Sequence, residues 1–348
     1  MKLFDVYPLY EVCPVRAKDV YVYDEAGTEY LDLYGGHAVI LVGHSHPHYV
    51  KQLEKQLNKI AFYSNAVLNP LQQKLAEEIG EQSCLHNYQL FLCSSGAEAN
   101  ENALKLASFH TGKKRIIAFK NSFHGRTSAA VAVTDNQKIN APLNQQQEVT
   151  FIHFNDLEGL ENELKEEDVC AVIFESIQGV GGLDMPDDEF VIGMNTLCHK
   201  YNTCLIADEV QSGFSRSGKF FAFQHNNIQP HVITMAKGMG NGFPIGGILV
   251  HPDLKPKHGM LGTTFGGNHL ACTASLAVLE IIKKNKLQQH AETMDAYFRA
   301  KAEKISGAKI KGRGLMLGLE FNFEVGPLRK RLIYEKNIFT GGSSKKSC

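Results

Sequence analysis

Three short stretches hold side chains whose type and neighbours could do chemistry. In 203-TCLIADEVQSGFSR-216 an apolar run ends in Asp208 and Glu209. A carboxylate at the carboxyl end of a parallel strand sits where open α/β sheets bind ligands. There it can hold a heterocyclic nitrogen protonated, because an opposite charge nearby favours the ionised form. The plainer alternative is a loop carboxylate that caps a helix. In 231-HVITMAKGMGNGFPIGG-247 a second apolar run ends at Lys237 and is followed by glycines. Partial desolvation of such a lysine lowers its pKa toward the range where the neutral amine is a nucleophile. The alternative is an exposed loop lysine. In 92-LCSSGAEANENALKLA-107 a run ends, small residues follow, and a helix begins. Free N–H groups at a helix start, with Ser94, Ser95 and Gly96 allowing close approach, make an anion site. The alternative is a capped helix, with Ser95 as N-cap and Glu98 as its partner.

Each stretch alone is open to its plainer reading. Together they describe a site for pyridoxal phosphate. The phosphate needs the helix start, the ring nitrogen needs the acid, and the aldehyde needs the lysine for a Schiff base.

These groups require a frame that delivers strand ends to one edge. Apolar runs at 88–93, 115–120, 149–154, 170–177, 203–210, 231–237 and 246–250 read as strands. Helix-like segments at 97–110, 157–166 and 189–202 lie between them. Strands apolar almost throughout, separated by helices, argue a mostly parallel sheet covered on both faces. Residues 19–33 read as a hairpin turning at Ala26-Gly27, with Val20 and Val22 on one strand and Leu31 and Leu33 on the other sharing faces. Residues 46–59, 70–80, 269–284 and 288–306 read as helices, and 308–321 as strands around a glycine turn.

Composition narrows the function classes. The chain has 348 residues, with 36 Lys+Arg against 37 Asp+Glu and a net charge of −1. So even a balance offers no global field for nucleic acid or an anionic membrane. No apolar run approaches the roughly 20 residues of a membrane span. The first residues, MKLFDVYPLYEV, lack the apolar core of a secretory signal, so a cytoplasmic location is expected. None of the eight cysteines forms a C-x-x-C pair. They read as reduced thiols, mostly buried, with Cys348 exposed. The 44-HSHPH-48 cluster reads as structural and no metal is expected.

Several longer motifs stand in order along the chain: 35-GGHAV-39, 43-GHSHP-47, 94-SSGAEANENALKLA-107, 122-SFHGRT-127, 175-ESIQGVGG-182, 207-ADEVQSGFSRSGKFFA-222, 234-TMAKGMGNGFPIGG-247 and 262-GTTFGGNHLAC-272. On these the chain resembles the class III (ornithine-type) aminotransferases. The resemblance implies an α/β fold of the fold-type-I class, with a mostly parallel central sheet, helices on both faces and a smaller α+β domain. It divides the chain into an N-terminal segment 1–60 joining the small domain, a large cofactor domain 61–268 and a small domain 269–348. The implied cofactor is pyridoxal 5′-phosphate and the implied assembly a homodimer with shared active sites. The implied reaction moves the terminal amino group of an N2-acetylated or N2-succinylated ornithine to 2-oxoglutarate, within arginine biosynthesis. By the same resemblance Lys237 is the Schiff-base lysine and proton carrier. Asp208 meets the pyridinium nitrogen, Gln211 the phenolic oxygen, and Val210 and Phe123 the two ring faces. Ser95, Gly96 and Ala97 hold the phosphate, with Thr264 crossing from the neighbouring subunit. Arg126 clamps a substrate carboxylate and Thr263 touches the acyl substrate.

Two departures stand out. Relatives usually carry Glu where Val180 stands and Pro where Ser176 stands, so a larger acyl group such as succinyl becomes a candidate. Relatives also continue past residue 340 with a further strand carrying an arginine and a final helix. The last eight residues here, 341-GGSSKKSC-348, read as a frayed tail. An inactive cofactor-binding remnant and another class III enzyme, such as a mutase, are therefore the alternatives.

Overall fold

A computed structural model describes residues 1–348. Its centre is a seven-stranded sheet. In spatial order the strands are Gln89–Cys93, Gly246–Val250, Val232–Met235, Cys204–Asp208, Val169–Glu175, Arg115–Phe119 and Val149–Ile152. Gly246–Val250 pairs antiparallel with both its neighbours, and the five strands from Val232–Met235 onward are parallel. Parallel strands need crossovers, and helices Leu157–Leu164 and Asp188–Lys200 supply two of them. Helix Gly96–Thr111 packs across four of the central strands.

Burial follows the apolar runs. All seven residues of Val169–Glu175 and all five of Cys204–Asp208 are buried. The strands most apolar in sequence are thus the ones covered on both faces. Phe119, Phe154 and Phe190 form a cluster on one face, with ring centroids 4.9 to 6.3 Å apart.

A second sheet orders Pro14–Lys18, Tyr21–Asp24, Glu29–Asp32 and Ile338–Phe339. Its last strand, from the far end of the chain, runs parallel to Glu29–Asp32. The hairpin at residues 21–32 turns where Gly27 takes a φ of +82°. Its register differs from the expected one. Val22 faces Tyr30 and both are buried, while Val20 and Leu33 are exposed. A tyrosine carrying its hydroxyl to Asp24 fills the place expected of a leucine.

The tail also departs from expectation. Phe321 N–H donates to Lys346 O, Leu319 N–H to Cys348 O, and Cys348 N–H to Leu319 O. Ser347 is fully buried and Cys348 half-buried. The free edge of Met316–Glu320 has unpaired backbone groups, and a polar tail can satisfy them as well as an apolar one. Helix Gly326–Lys336 was not expected because it has no apolar stripe; only Ile333 is buried. The histidines at 44, 46 and 48 go to separate structural partners: Asp32, the N-cap of helix Pro47–Leu57, and Glu280. No helix is long and apolar enough to cross a membrane.

One titratable cluster sits at the base of the central sheet. His231 accepts a hydrogen bond from Leu205 N–H at 3.0 Å, and its ring lies 4.8 Å from that of His199 and 6.3 Å from that of His251. Burial and these neighbours lower its pKa to about 4. The folded state therefore disfavours the proton, and this stability is present above the ordinary histidine pKa and lost as pH falls toward 4. Between pH 7 and pH 5 the wild type should lose on the order of 1–2 kcal/mol more stability than His231→Gln. Urea melts at both pH values check this; a parallel fall of the two proteins contradicts it.

Candidate active site

Three strand ends stand side by side at the carboxyl edge of the parallel sheet. Glu175 pairs in register with Asp208, and Asp208 with Thr234, three residues before Lys237. Adjacent strands lie about 4.8 Å apart, so the acid and the lysine stand at neighbouring strand ends, on the edge where open α/β sheets bind ligands. Asp208 and Glu175 are 5% and 6% exposed, which rules out plain surface carboxylates.

Asp208 is fixed from both sides. Its Oδ1 accepts from Val210 N–H at 3.0 Å. Its Oδ2 accepts from His124 Nδ1 at 2.7 Å and from Asn100 Nδ2 at 2.8 Å. Glu175 accepts from Phe123 N–H and Gly179 N–H, both at 2.9 Å. Burial pushes Glu175 up to about 7, against these bonds and the pull of His124. Glu209, next to Asp208, turns the other way. It accepts from Ala222 N–H, Phe223 N–H, Ser212 Oγ and Ser176 Oγ. Those bonds satisfy a loop buried among Phe214, Phe220, Phe221 and Phe223. Burial still raises Glu209 to about 7. Its work is structural, and the Ser176 hydroxyl, absent from a proline, is one of its four donors.

Lys237 stands two residues past the end of its strand with a φ of +44°, in the left-handed region that a lysine rarely adopts. Such strain persists only where the surroundings over-determine it, and it gathers at functional sites. Burial lowers the amine's pKa, while Asp208 and Glu175 pull the other way. No hydrogen bond contributes to its state.

The helix start lies beside both. Ser95 caps helix Gly96–Thr111 by accepting from Glu98 N–H, and Glu98 reaches back to Ser94 N–H. Both readings of this stretch hold at once: the cap is made, and the N–H groups of Gly96 and Ala97, first in the helix, have no intrahelical acceptor. A Cβ placed on Gly96 would lie 2.7 Å from Val210 Cγ1 and 3.4 Å from Ala236 Cβ. Only glycine lets the helix start sit against the residues that flank Asp208 and Lys237. Gly125, in the F-H-G-R segment, is equally tight; its Cβ would lie 2.9 Å from Ala97 Cβ. These contacts set the helix start at Gly96 and Ala97 beside Val210 and Ala236, the near neighbours of Asp208 and Lys237, and Phe123 joins them through its N–H to Glu175.

The other expected residues lie further out. Gln211 Nε2 donates to His37 O at 3.4 Å, and its side chain fills the space above Gly179. Thr263 Oγ1 accepts from Gly266 N–H in a loop packed on Leu92 and Cys93. Thr264 and Arg126 are exposed. Two site residues carried no role in the sequence reading, His124 and Asn100. His124 sits within the F-H-G-R motif, and Asn100 is a polar residue on the buried face of its helix; those were the available signals.

The residues fit pyridoxal phosphate: a buried, multiply bonded carboxylate, a desolvated lysine and a glycine-tight helix start share one crevice. The fold and the site define a fold-type-I pyridoxal-phosphate enzyme. The family model for class-III aminotransferases matches residues 5–335, and the chain belongs to that family. An acetylornithine aminotransferase of Archaeoglobus fulgidus is 40% identical over 347 residues, covering 99% of this chain and 91% of that one. Among solved structures, the acetylornithine aminotransferase of Elizabethkingia anophelis aligns with a TM-score of 0.84 at 29% identity, covering 98% of this chain and 88% of that one. An ornithine aminotransferase of Toxoplasma gondii, whose active site holds pyridoxal phosphate at partial occupancy, aligns with a TM-score of 0.90 at 27% identity, covering 97% and 85%. The chain is an aminotransferase that uses pyridoxal phosphate.

Gly96→Ala tests the closeness of the cradle. Overpacking here should cost about 1–3 kcal/mol, read as a weakening of cofactor affinity by about tenfold or more with little change in the far-ultraviolet circular dichroism. Cofactor affinity equal to wild type contradicts it.

Proposed function

We propose that this aminotransferase takes the terminal amino group of N2-acetylornithine and passes it to 2-oxoglutarate, a step of arginine biosynthesis. The observation that carries this reading is the convergence of Lys237, Asp208 and the Gly96 helix start on one crevice. The acetylornithine aminotransferases it resembles over nearly the whole chain supply the substrate.

Bound in the crevice, pyridoxal phosphate supplies an electron sink that stores and returns the amino group. In this reading Lys237 Nζ would hold the aldehyde, since burial favours its neutral form, and would be the group placed to carry a proton. Asp208 keeps the ring nitrogen protonated by its negative charge. Phe123 and Val210 would cover the two ring faces, and Gln211 would meet the phenolic oxygen. Ser95, Gly96 and Ala97 receive the phosphate at the positive end of their helix. Arg126 would offer a planar fork to a substrate carboxylate, and Thr263 would meet the acyl group.

We assign Thr264 to the active site of a second copy, so that the working form is a homodimer. Thr264 is exposed, and Phe265, Phe62 and Tyr63 beside it are exposed apolar residues, with the Phe62 and Phe265 rings 5.5 Å apart. Eight free thiols suit the reducing cytoplasm. The relatives named acetylornithine aminotransferases favour acetyl over succinyl as the acyl group.

The test supplies the cofactor-loaded protein with 2-oxoglutarate and acetyl-, succinyl- or free ornithine, and measures glutamate. Acetylornithine should give the highest kcat/KM. Lys237→Ala should lower turnover by about a thousandfold or more while the protein stays folded. No glutamate from any donor, or substantial turnover by Lys237→Ala, contradicts the reading.

A further inference from the structure

Asn100 is a costly residue where it stands. It is 1% exposed on the inner face of helix Gly96–Thr111, among Ala99, Ala103, Leu104 and Ala107. Asparagine is a poor helix former, and a buried amide without partners is destabilising. Its Nδ2 donates twice, to Asp208 Oδ2 at 2.8 Å and to His124 O at 2.7 Å. A carboxylate and a carbonyl only accept, so the chemistry dictates which end of the amide points there. Its Oδ1 is left buried with no partner. The helix thus tolerates an unsatisfied oxygen in order to place two N–H bonds.

We infer that Asn100 is a positioning residue that aims the Asp208 carboxylate at the cofactor ring. The inference rests on the reading of Asp208 as the partner of the ring nitrogen. Asn100 and His124 together occupy both lone pairs of Oδ2. Oδ1 has the single bond from Val210 N–H and keeps one lone pair open. The carboxylate therefore cannot rotate, and a ring N–H is received at Oδ1 alone. The second bond of Asn100 holds the carbonyl of His124, the residue after Phe123. One amide thereby sets the ring's acid and the aromatic side chain that covers it in register.

Asn100→Asp turns this donor into a titrating one. Asp208 and His124 touch position 100, Glu175 and Lys237 act on Asp208 from beside it, and Glu98, Glu101, Lys105 and His110 share its helix. Two carboxylates in contact share one proton, so the variant donates to Asp208 only while it is protonated. Pyridoxal phosphate affinity should be measured by fluorescence for wild type, Asn100→Leu, Asn100→Asp and Asp208→Ala, from pH 6 to pH 9, with apoprotein melting alongside. Asn100→Leu should bind about tenfold or more weakly than wild type at every pH. Asn100→Asp should bind within about threefold of wild type at pH 6 and fall to tenfold or worse by pH 9. An Asn100→Asp deficit that does not change with pH, or Asn100→Leu binding like wild type while Asp208→Ala binds weakly, overturns the inference and leaves the Asp208 reading standing. Wild-type affinity in Asp208→Ala overturns the underlying reading instead. If Asn100→Leu fails to fold, the pH dependence of Asn100→Asp decides alone.

Discussion

A single negative charge held inside the protein governs this structure. The Asp208 carboxylate is buried at the edge of a sheet whose strands are otherwise apolar. Isolated carboxylates do not stay ionised in such a place. Asp208 is held by three donors from three parts of the chain, Val210 after it, His124 on the 121–127 loop and Asn100 on the first helix of the sheet. To keep that charge in place the fold must bring those three segments together, and bringing them together builds the cofactor site.

The rest of the crevice follows from the same packing. Gly96 must be glycine because Val210, whose N–H binds Asp208, presses on it. Lys237 takes its left-handed conformation two residues past a strand that pairs with the strand of Asp208. On the open side, residues 35–38 form a left-handed turn in which His37 and Ala38 take φ values of +63° and +59°. Arg216 Nη2 donates to Ala38 O and Ile40 O, while Asn241 Oδ1 accepts from Leu41 N–H and Val42 N–H. Arg216 has no carboxylate partner, and burial lowers its pKa to about 10. A strained turn and a buried cation are both retained where the N-terminal segment closes over the lysine.

The central sheet was legible in sequence because its strands are apolar on both faces and end in chemistry-bearing residues. Asp208 and Lys237 were visible for that reason, and Gly96 because a helix cap and an anion cradle share one pattern. Asn100 was not, since a single polar residue in a helix gives no sign of facing inward until the sheet is in place. The N-terminal register was missed because Tyr30 buries its ring and hands its hydroxyl to Asp24, which alternation of aliphatic residues does not anticipate. The ordered tail was missed for a related reason. Gly341, Gly342 and Ser343 read as disorder, yet Ser343 Oγ bridges Gly179 O and Gly182 N–H, contacts that exist only in three dimensions.

The most direct measurement is covalent. Protein mixed with pyridoxal phosphate is treated with borohydride, which fixes any imine as a stable secondary amine, and its peptides are mapped by mass. The mass increment should fall on the peptide containing Lys237 and on no other. Labelling spread over surface lysines, or absent from Lys237, would mean that the crevice between Asp208 and the Gly96 helix start is not where the cofactor is held.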